Sequence, residues 1–401
     1  MKILFIHQNF PAQFLHLATD LGRRPGHQVV ALGVGAGPAP AGVTLRRYQL
    51  LRPALPDTHP LLIEQEGHIR YAEACAAAAL QLQREGFVPD IVVAHPGWGE
   101  ALFIKDVFPR ARLLIYCEYY YALEGQDVGF DPGLPALSLA ERWRLRLRNS
   151  TNLLSMELAD AAISPTHWQR NTYPAWARAK ISVIHDGIDS ERLRFNPAAR
   201  LALRRPDGAT LTFEPGHEVL SYVARNLEPM RGFQMFMRAL PEVLRRRPGL
   251  HAVVVGGDGC GYGHCAPGGA SWKRHMLAEV GDRLDLARVH FVGQLPSQQY
   301  LDLLSISRVH AYWSAPFVLS WSFLEAAVSG LPVIASATPP VQEFAERLGV
   351  ATYDFFDAAG YADAIVERSA AGAQAARQPR RLPEIDLQHC VARQRQWLAS
   401  A

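Results

Sequence analysis

The sequence predicts an α/β protein of two doubly wound, Rossmann-like domains in series, facing each other across a cleft. Three observations carry this. Short, continuous apolar runs recur along the chain and alternate with helical patterns, as parallel strands buried on both faces do. The alternation breaks once, over residues 192–217, which are rich in Arg, Pro and Gly, and then restarts. At 401 residues the chain also exceeds the usual size of a single domain.

Taken in order, residues 3–7 read as the first strand, followed by a helix over 12–21 that Arg-Arg-Pro-Gly ends. Strand 29–34 comes next. Residues 35–60 are rich in Gly and Pro and read as loop. A long helix spans 61–85, with strands at 90–94, 112–117, 160–164 and 181–184. In the second half the strands fall at 219–224, 251–255, 289–292, 309–313 and 332–335. The expected division is a first domain over 1–195, a linker over 196–217 and a second domain over 218–380. A C-terminal helix over 381–401 packs back on the first domain. Ligands of such sheets sit outside the carboxyl ends of the strands, so the expected site is the cleft between the domains.

Composition narrows the function. Hydrophobic residues make up 49% and charged residues 20%, an ordinary soluble balance. A net charge of only +3 implies no nucleic-acid partner. The five cysteines (Cys75, Cys117, Cys260, Cys265, Cys390) are odd in number and scattered, which suits a reducing cytoplasm better than a disulfide framework. The apolar run at residues 1–6 is too short for a signal peptide, and no run of 18 apolar residues is available to span a membrane.

The most informative stretch is 314–336. Ser322 and Glu325 have capping-box spacing, Gly330 suits the helix stop, and Pro332 forbids continuation. A loop feeding a helix N-terminus offers backbone N–H groups to an anion. The bland alternative is an ordinary helix start. Upstream, Arg225 and Arg231 flank a turn made by Pro229, so two guanidiniums can converge on one phosphate, or both are solvated surface side chains. The run Gly256-Gly-Asp-Gly-Cys-Gly-Tyr-Gly263 permits close backbone approach to a ligand. Cys260, His264 and Cys265 lack a second ligand pair at zinc spacing, so no metal is expected.

These motifs occur in a telling order. Arg225-x5-Arg231-Gly, Val-Val-Gly-Gly-Asp, Val-His-Phe-Val-Gly293 and the stretch 320–336 resemble the C-terminal domain of the retaining glycosyltransferases of family 4, which have the GT-B fold. Ile163-Ser-Pro-Thr-His-Trp-Gln-Arg and Val183-Ile-His-Asp-Gly-Ile-Asp189 resemble that family's motifs before the linker. The resemblance implies a UDP- or GDP-sugar donor as co-substrate, with no other cofactor, held by the second domain. It implies a saccharide, glycolipid or small-molecule hydroxyl acceptor held by the first, in polysaccharide or glycoconjugate biosynthesis. The donor diphosphate falls on Arg225 and Arg231, and the ribose on Glu325. The loop backbone of Val318, Leu319, Ser320 and Trp321 falls on the diphosphate and sugar, with Gly257 and Asp258 also on the donor side. The base lies near Phe291 and Val292.

The chain departs from the family pattern in places. Phe317 stands where the family's first Glu of Glu-x7-Glu would be, and Ser320 replaces a Gly. Gln8-Asn-Phe-Pro-Ala-Gln replaces a Gly-rich loop, which puts Asn9 and Phe10 on the acceptor side. Cys117-Glu118 stands where many members carry a His. With no carboxylate at 317, the expected chemistry is front-face. The leaving diphosphate is stabilised electrostatically and takes the acceptor's proton. Glu118 and His95, each just after a first-domain strand, are the candidates for orienting sugar or acceptor; their alternatives are a salt-bridged carboxylate and a hydrogen-bonded loop His.

Two further expectations follow. Glu141-Arg-Trp-Arg-Leu-Arg-Leu-Arg148 offers a weak peripheral contact with anionic lipid at the inner membrane face, or is simply a solvated arginine-rich helix. The competing functions are a nucleotide-sugar epimerase or a glycosyl phosphorylase on the same architecture, and a nucleotide-sugar-binding protein that has lost catalysis.

Overall fold

A computed structural model of the chain describes residues 1–35, 37–204, 208–261, 265–370, 377 and 379–400. It divides into two units, Met1–Gly187 with Pro383–Ala401, and Ile188–Leu382.

The first unit holds a seven-stranded parallel sheet. Its strands are β1 (Lys2–Ile6), β2 (Gln28–Gly33), β3 (Val43–Arg47), β4 (Ile91–Ala94), β5 (Arg112–Tyr116), β6 (Ala161–Ser164) and β7 (Ile181–Val183), in the order β3-β2-β1-β4-β5-β6-β7. Successive side chains of a strand point to opposite faces, and both faces here are covered. Leu4, Ile6, Val30, Val92 and Leu113 pack into one core. Ile3, Phe5, Val29, Ile91 and Leu114 pack into the other. That is why the strands read as unbroken apolar runs. The helix Leu387–Ser400 inserts Trp397 and Leu398 into the second core. Arg112 Nη2 donates to the Leu398 carbonyl at 2.9 Å, and Gln394 Nε2 donates to that of His185 at 2.9 Å. Burying Leu398 alone contributes about 2 kcal/mol.

The second unit begins with an antiparallel hairpin, β8 (Leu201–Arg204) and β9 (Thr210–Phe213). A six-stranded parallel sheet follows: β10 (Val219–Asn226), β11 (His251–Gly257), β12 (Val289–Gly293), β13 (Val309–Tyr312), β14 (Val333–Ser336) and β15 (Ala351–Tyr353), ordered β12-β11-β10-β13-β14-β15. In each sheet the strand order reverses once, between β1 and β4 and between β10 and β13. Ligands of open α/β sheets bind at such switch points. The loops after these four strands carry most of the residues singled out above.

Several expectations change. Residues 196–217 are not a structureless linker: Leu201, Leu203 and Phe213 pack with Val219, Val253 and Val255. Residues 35–60 contain β3, a sheet-edge strand. Its Val-Thr-Leu-Arg-Arg sequence leaves Thr44, Arg46 and Arg47 exposed, so it carries no apolar run. Cys260 and Cys265 are joined as a disulfide, contrary to an all-thiol reading. Their five-residue separation brings the Cα atoms to 5.5 Å, within bridging range. Cys75, Cys117 and Cys390 are buried free thiols. His264 lies outside the described residues. No described helix is long and apolar enough to cross a membrane.

Candidate functional site

In the first unit, three strand ends bring together residues far apart in sequence. His7 follows β1, His95 follows β4 and Glu118 lies two residues past β5. Gln13 sits in the 3-10 turn Ala12–Phe14. Hydrogen bonds link these side chains in series. The Asn9 backbone N–H donates to His7 Nδ1 at 2.9 Å, so Nε2 is the protonated nitrogen of that ring. His7 Nε2 then meets Gln13 Oε1 at 2.9 Å, and Gln13 Nε2 donates to Glu118 Oε1 at 2.6 Å. Likewise the Gly97 backbone N–H donates to His95 Nδ1 at 3.1 Å, which leaves His95 Nε2–H aimed at Glu118 Oε2 from 3.6 Å. Gly97 itself is required, because a Cβ there would lie 2.8 Å from His95 Cε1.

Aromatic rings wall this group. Trp98 stacks on His95 with centroids 4.5 Å apart, Tyr116 lies at 5.7 Å on a near-parallel plane, and His7 meets Trp98 edge-on at 5.0 Å. Burial, with His95 nearby, drives the His7 imidazole down to about 3, so it is neutral. Burial pushes Glu118 upward, but His95, Gln13 and His7 outweigh it and hold the carboxyl below its ordinary range. Glu118 keeps 26% of its side chain exposed, against 5% for His95. Glu118 is therefore the more open side chain of that pair. A second carboxyl, Glu100, is buried. It accepts from Tyr48 Oη at 3.2 Å and is raised by burial to about 7.

In the second unit the loops after β10 and β13 form the corresponding group. Arg225 is exposed at the end of β10. Arg231 is buried, and its Nη1 donates to Ser314 Oγ at 3.0 Å and to the Val318 carbonyl at 2.8 Å. Its guanidinium also lies over the Phe317 ring, 5.6 Å from the centroid. The side chain thus clamps the 314–318 loop rather than standing free beside Arg225. Gly232, at φ 63°, lets the preceding turn press on Trp313: a Cβ would lie 2.1 Å from Trp313 Cβ. Phe317 is itself buried.

The helix Trp321–Val328 is capped by Ser320, whose Oγ accepts from the Ser322 N–H at 3.3 Å. The expected Ser322–Glu325 capping box does not form. Glu325 Oε2 instead accepts from Tyr300 Oη at 2.8 Å. Burial raises the Glu325 carboxyl, against the pull of Tyr300 and Arg192. Gly330, at φ 78°, ends the helix as expected.

Of the other expected donor contacts, Asp258 is exposed past β11, while Gly257, Val292, Val318 and Ser320 are half-buried. Phe291, also half-buried, lies under Lys273 Nζ at 4.8 Å. Leu319 is buried and Trp321 exposed. On the acceptor side Asn9 is exposed, but Phe10 belongs to the core, its ring 6.1 Å from Phe5; it is unavailable to a ligand. Among the described residues no group of three or more His, Cys, Asp or Glu could hold a metal.

A family model described as Glycosyl transferase family 4 group matches residues 25–193. One described as Glycosyl transferases group 1 matches residues 217–369. The chain belongs to the glycosyl transferase family 4 group. Among its curated relatives is a D-inositol 3-phosphate glycosyltransferase of Nocardia farcinica, 30% identical over 163 residues, which are 40% of this family 4 chain and 33% of the relative. Another is a GDP-mannose-dependent alpha-(1-6)-phosphatidylinositol monomannoside mannosyltransferase of Mycobacterium tuberculosis, 25% identical over 243 residues, 59% of this chain and 56% of the relative. The matches thus span about a third to a half of those proteins. A solved structure of sucrose-phosphate synthase from Thermosynechococcus elongatus shares the fold, with a TM-score of 0.68 at 16% identity over 100% of both chains. Two doubly wound units with that likeness make this a GT-B fold.

Three residues escaped the sequence reading of this family 4 chain. His7, Gln13 and Tyr300 each act through a partner 6 to 105 positions away. The one local signal was His7 itself, a polar residue closing the first buried strand.

Proposed function

We propose that this chain is a retaining glycosyltransferase that moves a sugar from a nucleotide-diphosphate sugar to a hydroxyl acceptor. The second unit holds the donor and the first holds the acceptor. The observation that carries the reading is the braced loop after β13. Arg231 ties it at Ser314 and Val318, and it delivers the N-terminus of the helix Trp321–Val328 with Glu325 one turn in. Such a terminus stabilises the charge that grows on a leaving diphosphate. Arg225, exposed at the strand end, adds a second cation for the phosphates. Glu325 meets the ribose hydroxyls, and Phe291 and Val292 flank the base.

The buried Phe317 ring leaves no carboxylate at that position to form a glycosyl-enzyme. The reaction is therefore front-face: the acceptor oxygen bonds to the anomeric carbon, the bond to the diphosphate breaks, and a diphosphate oxygen takes the acceptor's proton. No metal is assigned. The relatives' names favour a cyclitol or sugar hydroxyl, free or on a lipid, as acceptor, in glycoconjugate biosynthesis. Transfer assays with UDP- and GDP-sugars, read by NMR for the product's anomeric configuration, test this. Retention is expected; inversion, or a trapped covalent adduct, overturns the mechanism. Donor binding without turnover on any acceptor would favour a binding protein that has lost catalysis.

A peripheral contact with the inner membrane face fits the same reading. On the helix Leu139–Arg148, capped by a Ser138–Glu141 capping box, residues 139, 142, 143 and 146 share one face. Leu139 is 67% and Trp143 53% exposed, and Arg142 and Arg146 flank them. An aromatic, basic face of this kind suits anionic lipid. Sedimentation with phosphatidylglycerol vesicles, lost in Trp143→Ala and absent with phosphatidylcholine, is the expected result; equal binding to both lipids refutes it.

A further inference from the structure

We propose that Lys273 is a specificity-determining residue for the donor, its ammonium donating to a ring carbonyl of the base. It thereby selects a keto base, uracil or guanine, over the amino bases cytosine and adenine. The inference rests on the transferase reading, whose donor side it makes specific.

Position comes first. Every residue invoked lies within the second unit. Glu325, the proposed ribose contact, accepts from Tyr300 Oη at 2.8 Å. Tyr300 belongs to the helix Ser297–Ile306, which starts just past the end of β12. A nucleotide with its diphosphate at the loop after β13 and its ribose at Glu325 therefore runs toward the carboxyl end of β12. Phe291 and Val292 are half-buried there and Gly293 is exposed. Lys273, also half-buried, stands in the first turn of the helix Trp272–Val280, which follows β11. Helices that follow parallel strands start at the carboxyl edge of the sheet, where ligands bind.

The Phe291 ring holds the amine at this edge. Phe233, fully buried, meets that ring edge-on with centroids 6.5 Å apart, and Lys273 Nζ covers it at 4.8 Å. A ring face attracts a cation, but it is a weak acceptor of N–H hydrogen bonds. The other lysines contrast with this. Lys2 Nζ donates to the Gly86 carbonyl at 3.2 Å, Lys105 Nζ to that of Ala111 at 2.8 Å, and Lys180 Nζ to that of Ala159 at 3.0 Å. Among the described residues Lys273 Nζ has only the Phe291 ring. The carboxylate of its own helix, Glu279, is taken by Arg238 Nε at 2.6 Å.

Chemistry then decides the partner. An ammonium carries three donors and no acceptor. Uracil O4 and guanine O6 are carbonyl oxygens and accept from it. Cytosine N4 and adenine N6 are amino groups at the corresponding ring positions, and would set donor against donor. A site that bonds one polar group rejects the analogue lacking it, because its own donor is left unpaired.

Calorimetric titration of the full chain with UDP, CDP, GDP and ADP tests this in wild type, Lys273→Met and Lys273→Leu. Met keeps an apolar stem over Phe291 and removes the charge. In wild type UDP should bind about tenfold or more tighter than CDP, or GDP than ADP. Either variant should bring that ratio to within about threefold, by losing keto-base affinity, with little change in melting temperature. If one variant misfolds, the other gives the same comparison; if neither folds, Lys273 serves the fold and the proposal fails. Equal binding of keto and amino nucleotides by wild type overturns it. So does a keto preference that the variants keep. A loss equal for every nucleotide also overturns it, because the amine would then act on the phosphates. The two readings fail differently. Nucleotide binding without a keto preference sinks this one alone; no binding of any nucleotide sinks the donor reading, and this one with it.

Discussion

The Arg231 guanidinium lies 5.6 Å from the centre of the Phe317 ring while one of its nitrogens donates to the Val318 carbonyl at 2.8 Å. The cation and the ring thus brace one loop from two sides. This accounts for an aromatic residue at position 317: a buried guanidinium needs partners, and a ring face supplies one without a second buried charge.

Removing that brace should loosen the loop and the helix it feeds. Arg231→Met is expected to cost about 2–3 kcal/mol, because the Val318 carbonyl and Ser314 lose a charged donor. Arg231→Lys keeps the charge but loses the planar fork, so it should fall between wild type and Met. Urea unfolding of the three chains checks the order. Equal stability of Arg231→Met and wild type would mean the clamp holds nothing.

The cap and the carboxylate of the helix Trp321–Val328 are separate residues and should separate experimentally. Ser320→Ala is expected to cost about 1 kcal/mol, the usual loss of a side-chain cap. Glu325→Ala should leave the melting temperature nearly unchanged and raise the donor's dissociation constant. A larger stability loss for Glu325→Ala than for Ser320→Ala would mean that the carboxylate serves the fold, through Tyr300, more than the donor.

Tyr300 holds Glu325 through one hydrogen bond of 2.8 Å. Tyr300→Phe should weaken nucleotide binding by about threefold to tenfold, since the carboxylate loses its orienting donor. Titration with a nucleoside and its 2′,3′-dideoxy analogue identifies the cause. The variant should discriminate less between the two than wild type does, and undiminished discrimination would sink the idea.

Glu100 makes stability depend on pH with a definite sign. Its unfolded carboxyl releases its proton near 4.5, whereas the folded one, raised by burial, keeps it to about 7. Within that window the native state binds the extra proton. Stability is therefore full below the lower value, falls as pH rises through the window, and loses up to about 3 kcal/mol above it. Glu100→Gln should flatten this profile and be the more stable chain at pH 8. If wild type is the more stable at pH 8, the ionised carboxylate has a native partner.

Much of this was legible in the sequence, for a physical reason. Strands buried on both faces must be apolar throughout, so residues 3–6 and 219–224 announce themselves. The edge strand Val43–Arg47 and the hairpin of Leu201–Arg204 with Thr210–Phe213 are half-solvated and Arg-bearing, and they read as loop. Ser322 and Glu325 have the right spacing for a capping box, but Ser320 caps first, and Tyr300, 25 positions upstream, claims the carboxylate. Glu118 and His95 were visible as polar residues after strands. The chain from His7 through Gln13 to Glu118 was not, because pairing across 105 residues leaves no local pattern. Phe10 was misread for the converse reason: a loop position gives no sign that its ring turns into the core.

On the proposed reading, the second unit binds a nucleotide-diphosphate sugar through Arg225 and Glu325. Calorimetric titration of the full chain with UDP, GDP, ADP and their sugars tests it most directly. One nucleotide should bind at a single site per chain, with affinity lost in Arg225→Ala and Glu325→Ala. No binding by any of the nucleotides, or binding that both substitutions leave intact, would contradict it.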